Sequence, residues 1–489
     1  MSAPIILVFV SVYFLVLLGI AYYTSRGSDN ETFFIGKRKS NWLLVAYGMI
    51  GTSLSGVTFM SVPGEVQAKH FTYMQVVIGY FLGYLVVAYV LIPLYYRMNV
   101  TSIYTYLKNR FGKISYKTGA SFFLLSRTLG ASIRIYLVLI VLQHFLLDSV
   151  HIPWSLSVFI ILLMILLYTF KGGVKTIVWT DTLQTTGMIL AMVITIILIQ
   201  NELHFSFGEL VSAIRQEGYT ETFQTSDWRS GSFFLKQILG GAFVTITMTG
   251  MDQEMMQKNI SVNTMGNSQR NMMLFSIVLV FVNLLFLLLG GALYVYAASK
   301  GIELPAKTDE TFPLIALEYL PDIARLIFII GLVSALFPSA DGALTALTSS
   351  FCIDILGLKE RDDLSEEGKS RLRKTVHILI AVTFFVLILL YRQLIESSVI
   401  STILKVAGYT YGPLLGLFAF GLLTKRKLTD TWRVPLICIL SPGLCWLLAE
   451  NSTQLLNGYK FGFELLIANG MITFLGLWMI STKRSSSLD

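Results

Sequence analysis

The chain has 489 residues, of which 54% are hydrophobic and 13% charged, with a net charge of +8. A soluble domain carries about 25% charged residues, so this composition excludes a soluble enzyme. The basic residues fall in short clusters between apolar runs, which argues for one integral membrane domain (1–489) in a lipid bilayer and against a nucleic-acid partner. Cys352, Cys438 and Cys445 make no disulfide or metal pattern, and the five histidines are scattered, so the sequence offers no catalytic or metal-ligand cluster.

The first apolar run, about 5–23, lacks a basic leader and an early cleavage site and is expected to be a retained helix. A spanning helix needs about 20 mostly apolar residues. Thirteen segments qualify, centred near residues 13, 53, 83, 130, 160, 188, 245, 283, 335, 382, 412, 440 and 471. Placing the loop with Arg26, Lys37, Arg38 and Lys39 inside puts the later basic clusters inside as well. These include Lys171 and Lys175, Lys258 and Arg270, and finally Lys483 and Arg484. The acidic, polar segment 200–232 then falls outside, so the expected topology has the N-terminus outside and the C-terminus in the cytoplasm.

Two spans read as broken. The second, WLLVAYGMIGTSLSGVTFMSVPG, gathers glycines and hydroxyl residues and ends in Pro63-Gly64. The seventh contains Gly250 followed by Asp252 and Gln253. Small and polar residues can simply line a helix interface. An unwound helix whose freed carbonyls face a cavity is the alternative, and the five-span interval between the two favours it. That interval is what an inverted repeat of five helices plus five requires. The expected fold class is therefore all-α and polytopic. A peripheral helix occupies 1–30, and the first repeat covers 40–232, including the outside segment. The second repeat covers 233–427, and two peripheral helices lie in 430–489.

The motifs FFIGKR (33–38), SLSGVTFMSVPG (53–64), KGGVKTIVWTDTLQ (171–184), MDQEMMQ (251–257), SSFCIDI (349–355) and GPLLGLF (412–418) run along nearly the whole chain. With them the chain resembles the sodium:solute symporter family, which includes sugar, proline, pantothenate, iodide, monocarboxylate and sialic acid carriers. The resemblance implies the leucine-transporter-like five-plus-five fold, alternating access, and sodium-driven symport across a bacterial cytoplasmic membrane. It leaves the oligomeric state open, and a single chain can act alone.

The resemblance also implies a Na⁺ held by the backbone carbonyls of Gly51 and Leu54 and, opposite them, by Ala335, Pro338 and Ser339. Hard cations prefer such oxygens. Pro338 stands where the family commonly has a second hydroxyl residue; it removes a side-chain ligand and leaves the Ser334 carbonyl without its helical donor. Asp341 stands where a hydroxyl is usual. In some members that position forms a second sodium site with the aspartate of the WTD motif, here Asp181. Two close carboxylates either share a proton or clamp a cation, so one Na⁺, two Na⁺ and proton coupling all stay open. The competing readings are that Asp341 meets a lysine or a backbone donor, and that Asp181 is interfacial beside Lys171 and Lys175.

Substrate is expected near the midplane, beside the breaks. Ser53, Ser55, Thr58 and Phe59 would line it, with Tyr73 and Gln75 on the next helix and Thr249 and Gly250 at the second break. Arg134 lies far from either end of its span, with Arg127 seven residues earlier on nearly the same face. The arginine that holds the carboxylate in a sialic acid carrier of the family matches a position near Leu129 or Gly130, one turn before Arg134. Lys405 stands where sugar carriers have a sugar-binding glutamine, and a lysine suits an anion. A carboxylate-bearing solute is the preferred expectation and a neutral sugar or polyol the alternative. The competing readings of Lys405 are a salt bridge to Glu65 or Glu254 and an outer-surface lysine at a helix end. A transporter-like sensor would need a signalling extension past the last span, which ends a few residues before SSSLD.

Overall fold

A computed structural model describes residues 3–26, 29–394 and 399–483. Arg484, expected inside, and the side chain of Lys171 lie outside the described residues. The chain is helical almost throughout. Its main helices are α1 (Ala3–Thr24), the pair α2 (Trp42–Ser53) and α3 (Gly56–Gly64), α4 (Val66–Arg97), α5 (Lys113–Val150), α6 (Trp154–Phe170) and α7 (Gly173–Leu203). They continue with α8 (Phe234–Thr245), α9 (Gln253–Ile260), α10 (Met265–Lys300), α11 (Asp322–Ile355), α12 (Glu366–Gln393), α13 (Val399–Thr410), α14 (Gly412–Leu423), α15 (Arg433–Glu450) and α16 (Leu465–Met479). Among the described residues, eight helices are long and apolar enough to cross a membrane, or nine with the bent pair α2/α3 taken as one span. The other segments expected to span lie in shorter helices, so this is an all-α polytopic membrane protein with eight to nine full-length apolar spans.

The breaks have local causes. Asn41 starts α2 by accepting a hydrogen bond from the Leu43 amide at 2.9 Å, and α2 stops at Leu54, which leaves helical geometry at φ −94°, ψ 87°. Ser55 is extended, α3 then begins at Gly56, and the two helices meet at 55°. Glycines and hydroxyl residues at 51–56 make this bend cheaper than it would be in a leucine run, since they resist unwinding least. After α8 the chain widens into a π-turn (Ile246–Gly250) and leaves the helix at Met251. Asp252 restarts it, its side chain capping the amides of Glu254 and Met255 at the head of α9. Gly173 separates α6 from α7 at φ 52°, ψ −141°, a left-handed conformation open to glycine.

α11 forms the centre of the bundle: every residue from Gly331 to Ser350 is buried. It packs on α2, α5 and α7. Small residues allow the closest approaches, as between Gly331 and Ala191 and between Gly187 and Ser334. The outer helices turn apolar side chains outward, among them Leu15, Leu379, Leu444 and Met471, as a lipid-facing surface requires. The segment between α7 and α8 is folded rather than loose. Its helix Phe207–Gln216 has a capping box of Ser206 and Glu209 and packs against α10. A two-stranded antiparallel pairing joins Lys427–Leu428 to Ser481–Thr482, and an isolated bridge joins Ser40 to Val262.

A Cβ at Gly173 would stand 2.4 Å from the Phe33 carbonyl oxygen. Gly173→Ala should therefore cost at least about 1–3 kcal/mol. In thermal unfolding of the detergent-purified protein it should lower Tm by several degrees, while Gly266→Ala, with nothing within 4 Å of the added Cβ, should leave Tm unchanged or raise it.

Candidate functional site

The break between α2 and α3 opens onto a central cavity. Ser53, Ser55 and Thr58 line it from the break, and Tyr73, Tyr80 and Tyr84 from α4. Arg127 and Arg134 face it from α5, Thr245, Met248 and Thr249 from α8 and its π-turn, and Asn283 from α10. One end of the cavity is therefore cationic and its walls carry hydroxyl groups.

The two arginines are in different states. Arg127 is 4% exposed and clamped by acids: it hydrogen-bonds Glu254 and lies 3.8 Å from Asp252 Oδ2. Asp252 Oδ2 also accepts the Tyr411 hydroxyl at 2.7 Å, which ties α5, α9 and the α13–α14 junction together beneath the cavity. Arg134, two turns further along α5, has no carboxylate within ion-pair distance among the described residues.

Four residues expected at the substrate site lie elsewhere. Phe59 follows Thr58 by one residue and so points about 100° away; it joins an aromatic cluster with Phe286, Phe312 and Phe328, at ring distances of 6.0, 5.1 and 5.8 Å. Gln75 is fully buried, its amide donating to the Thr72 carbonyl at 3.1 Å and its oxygen accepting the Gln224 amide at 3.2 Å. It anchors the 204–233 segment instead of lining the cavity. Gly250 gives its carbonyl to the Tyr95 hydroxyl at 2.7 Å and packs on Leu91. Lys405 is 62% exposed and 3.8 Å from Glu450, outside the cavity. The two alternative partners considered for it are engaged elsewhere, Glu65 with Lys69 at 2.9 Å and Glu254 with Arg127.

Below the break, α2 faces α11. A Cβ at Gly51 would lie 3.5 Å from Pro338 Cγ. The Leu54 amide closes on Ile50 O at 2.8 Å and the Phe59 amide on Ser55 O at 3.0 Å, but among the described residues no amide closes on the carbonyls of Gly51 or Leu54. Opposite them, Ser339 donates its hydroxyl to Leu336 O at 3.0 Å and keeps its oxygen lone pairs free to accept. Two carbonyls without amide donors and a buried hydroxyl suit Na⁺, a hard cation that takes oxygen ligands. Gly51, Leu54, Ala335 and Ser339 would hold the ion there, while Pro338 brings no side-chain oxygen.

Asp181 and Asp341 are both fully buried, yet each has its own partner. Asp341 Oδ2 accepts the Tyr168 hydroxyl at 2.7 Å. Asp181 Oδ2 accepts Lys258 Nζ at 2.6 Å and the Thr52 hydroxyl at 3.1 Å. Asp181 thus lies in the interior of the bundle, paired with Lys258. Lys258, read above as a basic residue of an inside loop, is 3% exposed and part of this cluster. The sequence does hold a signal for it: Lys258 follows Glu254 by four residues on α9, so both point from one helix face into the core.

A bundle with a central span bent open around a polar cavity, and with ion pairs closing the space beneath it, defines a membrane transporter of the alternating-access kind. The chain belongs to the sodium:solute symporter family, whose match covers residues 33–430. It is accordingly a sodium-coupled transporter of a small organic solute and not an enzyme. It is similar to the sodium/sialic acid symporter SiaT of Proteus mirabilis (strain HI4320), at 27% identity over 84% of this chain and 83% of that protein. It is also similar to the sodium-coupled monocarboxylate transporter 1 of Mus musculus, at 24% identity over 82% and 66%. Its fold matches the substrate-bound outward-open structure of a Na⁺-coupled sialic acid symporter with a TM-score of 0.84, at 23% identity over 98% and 99% of the two chains.

Glu254→Ala would leave Arg127 as a buried, under-compensated charge. It should destabilise the protein by about 3–5 kcal/mol, seen as a large Tm loss, with part of it recovered in Glu254→Ala/Arg127→Met.

Proposed function

We propose that this protein takes up a small solute bearing one carboxylate and several hydroxyls, a sugar acid such as sialic acid or a related monocarboxylate, driven by Na⁺. The observation that carries this reading is Arg134: a guanidinium at the cavity wall whose neighbour Arg127 is already neutralised while it is not. A substrate carboxylate would complete it through a bidentate pair. The hydroxyl groups of Ser53, Ser55, Thr58, Thr249 and Tyr73 offer donors and acceptors to the rest of the solute. The named activities of the related sialic acid and monocarboxylate carriers point the same way. Lys405 has no part in this reading.

In the proposed arrangement, 40–232 and 233–427 form the two inverted repeats of a thirteen-helix protein, flanked by the peripheral helix of 1–30 and those of 430–489. The protein sits in a bacterial cytoplasmic membrane with its N-terminus and the 200–232 segment outside and its C-terminus in the cytoplasm. Na⁺ binds at Gly51, Leu54, Ala335 and Ser339 and stiffens the break, which sets Ser53 and Ser55 for the solute. The cavity then closes on the outside and opens inward.

Uptake into proteoliposomes tests this, with sodium and proton gradients imposed separately and sialic acid, monocarboxylates, neutral sugars and amino acids offered. Uptake should follow the sodium gradient and favour the acids; drive by a proton gradient alone would overturn the sodium reading. Arg134→Gln should weaken acid uptake by about 10- to 150-fold, the loss of a hydrogen bond to a charged group, while Lys405→Gln should change it less than about twofold. Ser339→Ala should raise the half-saturating Na⁺ concentration by roughly 2- to 12-fold, the loss of one neutral ligand.

A further inference from the structure

The residues around Asp181 do not fit a second sodium ion, and the reason is Lys258. We infer that the Lys258 ammonium is a resident cation at Asp181, filling in this chain the position that a second Na⁺ would take, so that transport couples one Na⁺ to each solute. The inference rests on the sodium-coupled reading above.

Lys258 is delivered to a fixed point. Around it on α9, Gln257 is tied to the Phe34 carbonyl at 2.5 Å and to Ser349 Oγ at 3.1 Å, and the Asn259 carbonyl accepts the Tyr96 hydroxyl at 2.9 Å. From this anchored turn Nζ reaches Asp181 Oδ2 at 2.6 Å and Thr52 Oγ1 at 2.5 Å. Those are two oxygens that a cation bound at Asp181 would need. Asp341 Oδ2 already accepts the Tyr168 hydroxyl at 2.7 Å. Of the two carboxylates, Asp181 Oδ1 and Asp341 Oδ1 stay buried without a hydrogen-bond partner, as do Gln184 Oε1 and Thr345 Oγ1 one turn further along their helices. With Asp181 Oδ2 and Thr52 Oγ1 held by the ammonium, the oxygens left over lose the pair that would anchor a sodium coordination shell at Asp181. A second Na⁺ there would also lie beside a fixed positive charge in a low-dielectric interior, lowering its affinity by about a hundredfold or more.

Local charge agrees. With both carboxylates ionised, Asp181 and Asp341 carry two negative charges, and Lys258 cancels one. The remaining one is met by a single Na⁺ on the adjoining stretch of α11, where Ser339 precedes Asp341 by two residues. Lys258 is thus a specificity-determining residue for ion stoichiometry, acting through the charge it places on Asp181.

Equilibrium binding of ²²Na⁺ to the purified full-length protein tests this without any solute. The wild type should bind one Na⁺ per chain with a Hill coefficient near one. Lys258→Met should open the position and raise the count to two, and Lys258→Met/Asp181→Asn should return it to one. The zero-flux potential of wild-type proteoliposomes gives the stoichiometry independently, should the variants fail to fold. Two Na⁺ per wild-type chain by either measurement would overturn the inference, as would a count that stays at one in folded Lys258→Met. No Na⁺ bound to the wild type would overturn the sodium-site reading itself.

Discussion

A main-chain polar group inside a membrane must find a partner within the protein, and much of this molecule is arranged around a place where the chain declines to supply one. Between Ser53 and Gly56 the helix lets go, leaving the carbonyls of Gly51 and Leu54 without amide donors among the described residues. Such a gap is costly in hydrocarbon and tolerable where it faces a cation and a wet cavity. α11 covers the gap from one side, and the hydroxyl-lined cavity lies on the other. The break is held on one side by Thr185, whose hydroxyl oxygen accepts the Gly51 amide at 3.1 Å, and packs against Pro338 on the other.

Around this break lies an unusual amount of buried charge. Arg127 with Glu254 and Asp252, and Lys258 with Asp181, are all nearly sealed from solvent. Buried ion pairs are poor sources of stability, because desolvation offsets most of their attraction. Their value here is geometric. Each joins helices from different parts of the chain, α5 to α9 and α9 to α7. Interactions of that kind suit a protein that must hold one arrangement firmly and then exchange it for another.

Much of this was legible in the sequence, and the misses share one physical origin. The broken span declared itself through a run of glycine, serine and threonine that no uniform membrane helix would carry, and Arg134 stood out because a guanidinium far from a span's end needs a reason. Hydropathy and motif spacing do not, however, say which way a side chain turns. Thr58 lines the cavity and Phe59, one residue on, packs behind it. Lys405 sits in an apolar stretch and reads as buried, yet its helix turns it outward toward Glu450. Lys258 erred in the opposite sense: amid Asp252, Gln253, Glu254 and Gln257 it reads as part of a polar loop, and the packing of α9 against α11, α2 and α7 buries the stretch. Gln75 owes its role to Gln224, about 150 residues away, a pairing that no local pattern announces.

The ammonium at Asp181 has an energetic consequence for the cell. An ion that belongs to the chain is never released on the far side, so it performs no osmotic work, however strong its field. The accumulation the protein can sustain is then limited to the ratio of a single sodium gradient rather than its square. For a solute with one negative charge, one accompanying Na⁺ moves no net charge across the bilayer. Uptake would be indifferent to membrane voltage and would continue in a depolarised cell for as long as sodium stayed scarcer inside than out.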